Sequence, residues 1–203
     1  MRQSHYFTCS LVLFVIMGLM ISAPDLPAQD DRAQTRTAME RVAVNPDSID
    51  VDDGDTVTIR WGGDDVEIIR ILGIDTPETQ HIGHNLPFDQ PFGREAAGFA
   101  MGAFALATKV ELLRADQMDP YGRTLGYLFL NGKNYSALIV AARLASETVN
   151  HYGDNGFPKE AAEVLAAAKT AGPVPFEPPF QFRQRMREVT DWMRATGQLP
   201  EDE

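Results

Sequence analysis

The chain has 203 residues, 44% of them hydrophobic and 23% charged, the profile of one globular domain with appendages rather than of two domains. Its net charge of −11 argues against a general nucleic-acid coat protein, whose non-specific affinity comes from neutralising phosphates. The single cysteine, Cys9, falls in a segment read as removed on export, which leaves a mature chain without disulfides or thiolate catalysis.

Arg2 and His5 precede an apolar run at residues 11–21, and the chain turns polar at Gln29. The run is shorter than the ~20 residues of a spanning helix, so residues 1–28 read as a secretory signal peptide cut after Ala28, with a secreted or periplasmic product. The alternative is an uncleaved N-terminal anchor. A lipoprotein anchor does not fit, because Cys9 stands before the run. Residues 29–42 are polar, without strand alternation, and read as a linker. The β-branched alternation of 56–61 predicts a strand, Gly62-Gly63-Asp64-Asp65 a turn, and 66–74 the returning strand, ended by Pro77. Residues 93–107 read as a helix, 109–114 and 123–130 as strands, and 136–144 and 159–171 as helices, the last closed by Gly172-Pro173. Short strands with three helices in one small region predict an α+β fold with a mainly β core, its sheet bent into a barrel. The tail, 173–203, opens with interleaved prolines and phenylalanines and continues as an amphipathic stretch over 182–194, expected to pack on the domain.

Three segments carry chemistry. The first is Asp53-Gly54-Asp55-Thr56 at a strand entrance; the second runs from Arg70 through Asp75-Thr76-Pro77-Glu78; the third is Asp119-Pro120-Tyr121-Gly122-Arg123. Each alone fits a turn or a strand end. Arg70 is the exception, because an arginine inside an apolar strand needs a reason. Alternation places it with Leu72 and Ile74, pointing where an apolar side chain is expected or into a barrel mouth. Together the segments supply what phosphodiester hydrolysis needs. Carboxylates serve a hard divalent cation, guanidinium forks serve a transition state with added phosphate charge, and an acid stands ready to take a proton from water.

The order Asp-Gly-Asp-Thr, Arg-x4-Asp-Thr-Pro-Glu-Thr, Gly93-Arg94-Glu95-Ala96 and Asp-x-Tyr-Gly-Arg resembles the staphylococcal nuclease (thermonuclease) family over about residues 50–172. The resemblance implies an OB-fold, five-stranded barrel with three helices over 43–172 and a calcium-dependent monomeric nuclease acting on DNA and RNA. Carried over residue by residue, it implies Asp55 and Asp75 as metal ligands with the backbone carbonyl of Thr76. Asp53 would stand behind them, Glu78 would be the general base, and Arg70 and Arg123 would clamp the phosphate. Tyr121 would line the nucleotide pocket, with Tyr152 as a second pocket tyrosine across a one-residue insertion.

Two features depart from that pattern. His81 and His84 lack a third ligand in their loop and read as solvated rather than as a metal pair. Residues 51–172 hold 10 Lys and Arg against 17 Asp and Glu, which predicts weak long-range attraction for a polyanion. The competing readings are a non-catalytic domain of the same kind, binding nucleic acid or a protein, and a structural or partner-binding protein with an acidic surface. The complete set of site acids and arginines argues against both.

Overall fold

The computed structural model describes residues 32–200; the expected signal peptide lies outside the described residues. Among the described residues nine strands and five α-helices follow in chain order. β1 (Arg41–Val44) and β2 (Ile49–Val51) are two halves of one extended segment, interrupted by a single 3-10 turn at Pro46–Ser48 in which the Asn45 side chain accepts the Asp47 N–H. β3 (Thr56–Gly62) and β4 (Asp65–Ile71) form the expected hairpin, with Gly62 and Gly63 both at positive φ in its turn. β5 (Ile74–Asp75), α1 (Gly93–Ala105), β6 (Val110–Met118) and β7 (Thr124–Leu130) follow. The chain then runs through β8 (Lys133–Asn134), α2 (Tyr135–Ala141), β9 (Ser146–Glu147), α3 (Val149–Tyr152), α4 (Pro158–Ala171) and α5 (Pro179–Ala195).

The main sheet has the order β1-β6-β7-β4-β3-β2, antiparallel except where β4 runs alongside β7. Its two outer strands, β1 and β2, are the halves of one segment, so the sheet curls until its edges are joined through the turn between them. Counted that way it has five strands and the α+β, OB-like architecture expected. Ile59, Ile69, Ile71, Leu112 and Leu128 fill its interior, while Tyr127 on the opposite face of β7 packs edge-on against Phe157; Phe104 of α1, Ile139 of α2 and Val164 of α4 complete the core. β5 pairs only with β9, which fixes the connection after β4 against the segment before α3.

Alternation along β4 differs from the sequence expectation. Glu67, Ile69 and Ile71 face inward, while Val66, Ile68 and Arg70 share the outer face. The period of two does not carry past Ile71, because Gly73 turns the chain at φ +80, and both Leu72 and Ile74 are buried. The charge inside the sheet is therefore Glu67. It receives both Nε and Nη2 of Arg114 at 2.8 Å, the Thr124 hydroxyl at 2.7 Å and the Trp61 indole N–H at 2.7 Å. Burial raises a carboxyl's pKa, but these donors outweigh it and hold Glu67 below the usual glutamate range.

Residues 32–40, polar and without alternation, run along β6. Met118 and Met39 donate N–H bonds to the carbonyls of Arg32 and Arg114, and Ala33 bridges Gln117. Arg114 Nη1 donates to the Thr37 carbonyl, so this segment helps to seal the buried pair.

The tail is packed. Phe182 and Met186 of α5 are buried against Leu86 with Val189 beside them, and Thr190 and Arg194 hydrogen-bond to Asn85. The helix begins as its sequence dictates, with Pro179 in the first turn, where a missing N–H costs nothing.

Candidate functional site

Asp53, Gly54 and Asp55 form the turn between β2 and β3. Asp53 Oδ1 accepts the Asp55 N–H at 2.9 Å, and the Asp55 carbonyl accepts the Ile71 N–H at 2.9 Å, which ties the turn to the end of β4. The buried Tyr135 hydroxyl of α2 donates to the Gly54 carbonyl at 2.8 Å. A side chain at Gly54 would meet Thr76, since a Cβ there would lie 2.7–2.9 Å from three Thr76 atoms. The glycine lets the second motif press on the first.

The Asp55 carboxylate is fixed by the Thr76 N–H at 2.8 Å on Oδ2 and the Thr56 hydroxyl at 3.2 Å on Oδ1. Arg70 reaches over the sheet edge from the outer face of β4. Its Nη1 donates to the Ile71 carbonyl, and its Nη2 lies 3.3 Å from Asp55 Oδ2 and 3.2 Å from Asp75 Oδ1. The two aspartates therefore meet on one nitrogen. Glu78, three residues beyond Asp75, is held through its backbone. Its N–H goes to Gln90 Oε1, its carbonyl accepts the Gln90 N–H, and the almost fully buried Gln90 passes its Nε2 to the Glu177 carbonyl. Gly93 opens α1 against that same strand of chain: a Cβ there would stand 2.1 Å from the Glu78 carbonyl oxygen. That contact is the physical reason for the glycine in Gly-Arg-Glu-Ala.

One cation enters from the tail. Arg183 of α5 donates to both oxygens of Asp75, at 3.1 and 3.0 Å, and to Glu78 Oε1. Even so, the acids outnumber their partners. Burial first and the Asp55 charge second push the Asp75 carboxyl up, against Arg183 and Arg70. Burial likewise raises Glu78, helped by Asp55 and Asp75. Asp53 is pushed up to about 7 by burial and by Asp55. Carboxylates crowded in this way seek a cation. The donors at Asp55 and Asp75 are all oxygen, which fits calcium or magnesium and offers nothing to zinc or copper. Among the described residues no group of three or more His, Cys, Asp or Glu is gathered to hold a metal ion. A cation here would rest on the two aspartates, with backbone oxygen and water completing its shell.

The third motif is a turn built on a buried aspartate. Asp119 Oδ1 accepts the N–H groups of Tyr121 and Arg123, and its Oδ2 accepts Arg123 Nε at 2.7 Å. Arg123 lies over the Tyr121 ring at 5.7 Å, and Tyr121 is 85% exposed. Neither makes a hydrogen bond to the acids of the site. Tyr152 ends α3, 70% exposed, with its ring edge-on to His151. His81 and His84 stack face to face at 3.8 Å, so their nitrogens do not converge on a common point. Sequence reasoning missed Gln90 and Arg183. The first sits in a loop without periodicity. The second lies on a stretch that did read as an amphipathic helix, but nothing in that pattern says which arginine turns toward Asp75.

Residues 68–172 match the family model described as "Staphylococcal nuclease homologue", about half of the chain. The chain belongs to the staphylococcal nuclease homologue family. It is 36% identical over 94 residues to the thermonuclease of Staphylococcus intermedius (46% of this chain, 53% of that one). The thermonuclease of Staphylococcus hyicus gives 36% over 98 residues (48% and 55%). The SPbeta prophage-derived endonuclease YokF of Bacillus subtilis (strain 168) gives 32% over 94 residues (46% and 30%). The chain thus spans about half the length of these relatives, or less. The family match begins in β4 and ends with α4, so the Asp53–Thr56 turn and α5 both lie outside it.

Proposed function

We propose that the chain is an exported, calcium-dependent nuclease that hydrolyses phosphodiester bonds of DNA and RNA, working as a monomer. The observation that carries this reading is the meeting of Asp55 and Asp75 on one nitrogen of Arg70, with Glu78 joined to Asp75 through a shared guanidinium. The two aspartates, with the Thr76 carbonyl and Asp53 behind them, would hold the cation, and calcium bound there would supply positive charge to the reaction. Glu78, its affinity for a proton raised by burial, takes the proton of the attacking water. Arg70 and Arg123 stabilise the negative charge that grows on the phosphate oxygens as the bond breaks. Asp119 holds Arg123 through Nε, leaving the far side of its fork for a phosphate. Tyr121 and Tyr152, both exposed, offer rings to the nucleotide. The names of the relatives, thermonuclease and endonuclease, support the same activity. Incubating the purified chain with plasmid DNA and with RNA tests it. Both are degraded in calcium and spared in excess chelator; cleavage indifferent to chelator, or none with any hard divalent ion, rejects the reading in favour of a binding domain.

A further inference from the structure

The helix α5 lies beyond the family match, yet it places a side chain inside the site. Its sequence carries four arginines, Arg183, Arg185, Arg187 and Arg194, against two acids in a chain that is otherwise strongly acidic. Arg185 turns away to Glu177 and Arg194 reaches Asn85. Arg183 alone of these lies on the acids. Its Nη1 and Nη2 take both oxygens of Asp75, and Nη1 also takes Glu78 Oε1. One guanidinium therefore covers the carboxylate assigned to the cation and the carboxylate assigned to the proton. Both oxygens of Asp75 are taken by Arg183, and Arg70 already shares Oδ1, so a cation bound to Asp75 must compete with Arg183 for the same lone pairs.

The rest of the helix is held by contacts that do not involve Arg183. Phe182 and Met186 are buried against Leu86, Thr190 donates to the Asn85 carbonyl, and Gln90 clasps Glu177 at the helix approach. These anchors fasten α5 to the loop that leads from Glu78 into α1, so the arginine is delivered by a docked element rather than by a loose end.

We propose that Arg183 is a built-in competitor for the divalent cation: α5 delivers its guanidinium to the oxygens of Asp75 and Glu78 that a cation would use, and metal binding must displace it. This rests on the metal-dependent reading above. The consequence is a threshold. Calcium binds more weakly than the aspartates alone would allow, and anything that loosens α5 lowers the calcium concentration at which cleavage begins.

The test uses the full chain, wild type and Arg183→Met, which keeps the aliphatic stem and removes the fork. Calcium alone is titrated calorimetrically, and melting is recorded in chelator and in calcium. Arg183→Met is expected to bind calcium on the order of tenfold more tightly, toward the low end of the roughly 5–150-fold range of coupling between binding events. It melts below wild type in chelator, where Glu78 has lost its counterion and Asp75 keeps only Arg70, and calcium raises its melting temperature more than it raises that of wild type. The double change Phe182→Ala with Met186→Ala, which loosens the helix but keeps the arginine, shifts calcium affinity in the same direction. Equal calcium affinity in wild type and Arg183→Met, with an equal loss of melting temperature in both conditions, makes Arg183 a structural tether and overturns the proposal while the metal-dependent reading stands. Weaker calcium binding together with lost cleavage overturns it in favour of a third phosphate-binding arginine. No calcium binding by either protein, with cleavage surviving chelator, removes the metal-dependent reading and the competitor with it.

Discussion

Inside the curled sheet Glu67 meets Arg114, and Arg36, itself paired with Asp65, lies 3.7 Å away, so acids and bases balance, while Asp55, Asp75 and Glu78 meet at the rim as three acids against Arg70 and Arg183. At the first place every oxygen of the carboxylate has a donor, and the acid is held below its usual range. At the second, two guanidiniums do not suffice, and Asp75 and Glu78 are pushed up. β4 contributes a residue to each cluster, and Glu67, Asp55 and Asp75 are all buried, so burial alone does not distinguish them. Stoichiometry does: a balanced pair is a piece of the fold, and an acid surplus is an opening for a cation.

The largest effect is expected at the balanced pair. Its side chains are 4% and 3% exposed, and removing one partner leaves the other charged and dry. Glu67→Ala or Arg114→Ala should cost about 3–5 kcal/mol, measured by denaturant unfolding, and replacing both by apolar residues should cost less than either single change. A small loss from the single changes would mean that water reaches the pair and would erase the contrast.

At the rim the expected losses are in rate rather than stability. Arg70→Lys and Arg123→Lys keep the charge and lose the planar fork, so turnover should fall on the order of 10²-fold or more with little change in substrate affinity. Equal losses in turnover and affinity would indicate ground-state clamping instead. Gly93→Ala reaches the same site through the backbone. Its Cβ collides with the Glu78 carbonyl, and if Glu78 is the base as proposed, its displacement should cost up to about 10²-fold in cleavage while calcium affinity, assigned to Asp55 and Asp75, is retained.

The smallest effect is a difference of sign with pH, read from melting curves in chelator. Glu67, depressed in the fold, contributes stability that is complete above its unfolded value of about 4.3 and is lost as pH falls through its folded value. Asp75 and Glu78, raised in the fold, bind protons more tightly there than when unfolded. They therefore cost stability as pH rises through their raised values, and Asp53 extends that window to about 7. Metal-free protein should thus lose stability on both sides of a maximum, with Glu67→Gln flattening the acid limb alone. A curve that keeps rising to neutral pH would show that the rim is not overcharged.

What the sequence reveals and hides follows the same division. The β3–β4 hairpin, β6, β7 and the helices at 93, 135 and 158 begin within a residue or so of where periodicity and glycine place them, because each buries a regular face. β1 and β2 escape that reading, since Pro46 breaks them into pieces of four and three residues, too short to show alternation. The Glu67–Arg114 pair was hidden by a face assignment that continued β4 through Gly73, where the chain turns. Within the site, the residues on neighbouring motifs were legible: Asp55, Arg70, Asp75 and Glu78 converge as the motif order implies. Arg183 was not, because a contact across 108 residues leaves no local trace.

The claim that joins these observations is that Asp55 and Asp75 hold a divalent cation required for cleavage. Calcium titrated calorimetrically into the full chain and into Asp75→Asn, with plasmid cleavage followed on the same samples, tests it most directly. Wild type should bind calcium and cleave only in its presence, and Asp75→Asn should unfold cooperatively yet bind calcium far more weakly and lose most cleavage. Undiminished cleavage by wild type in excess chelator, or by Asp75→Asn at the same calcium concentration, would contradict the account.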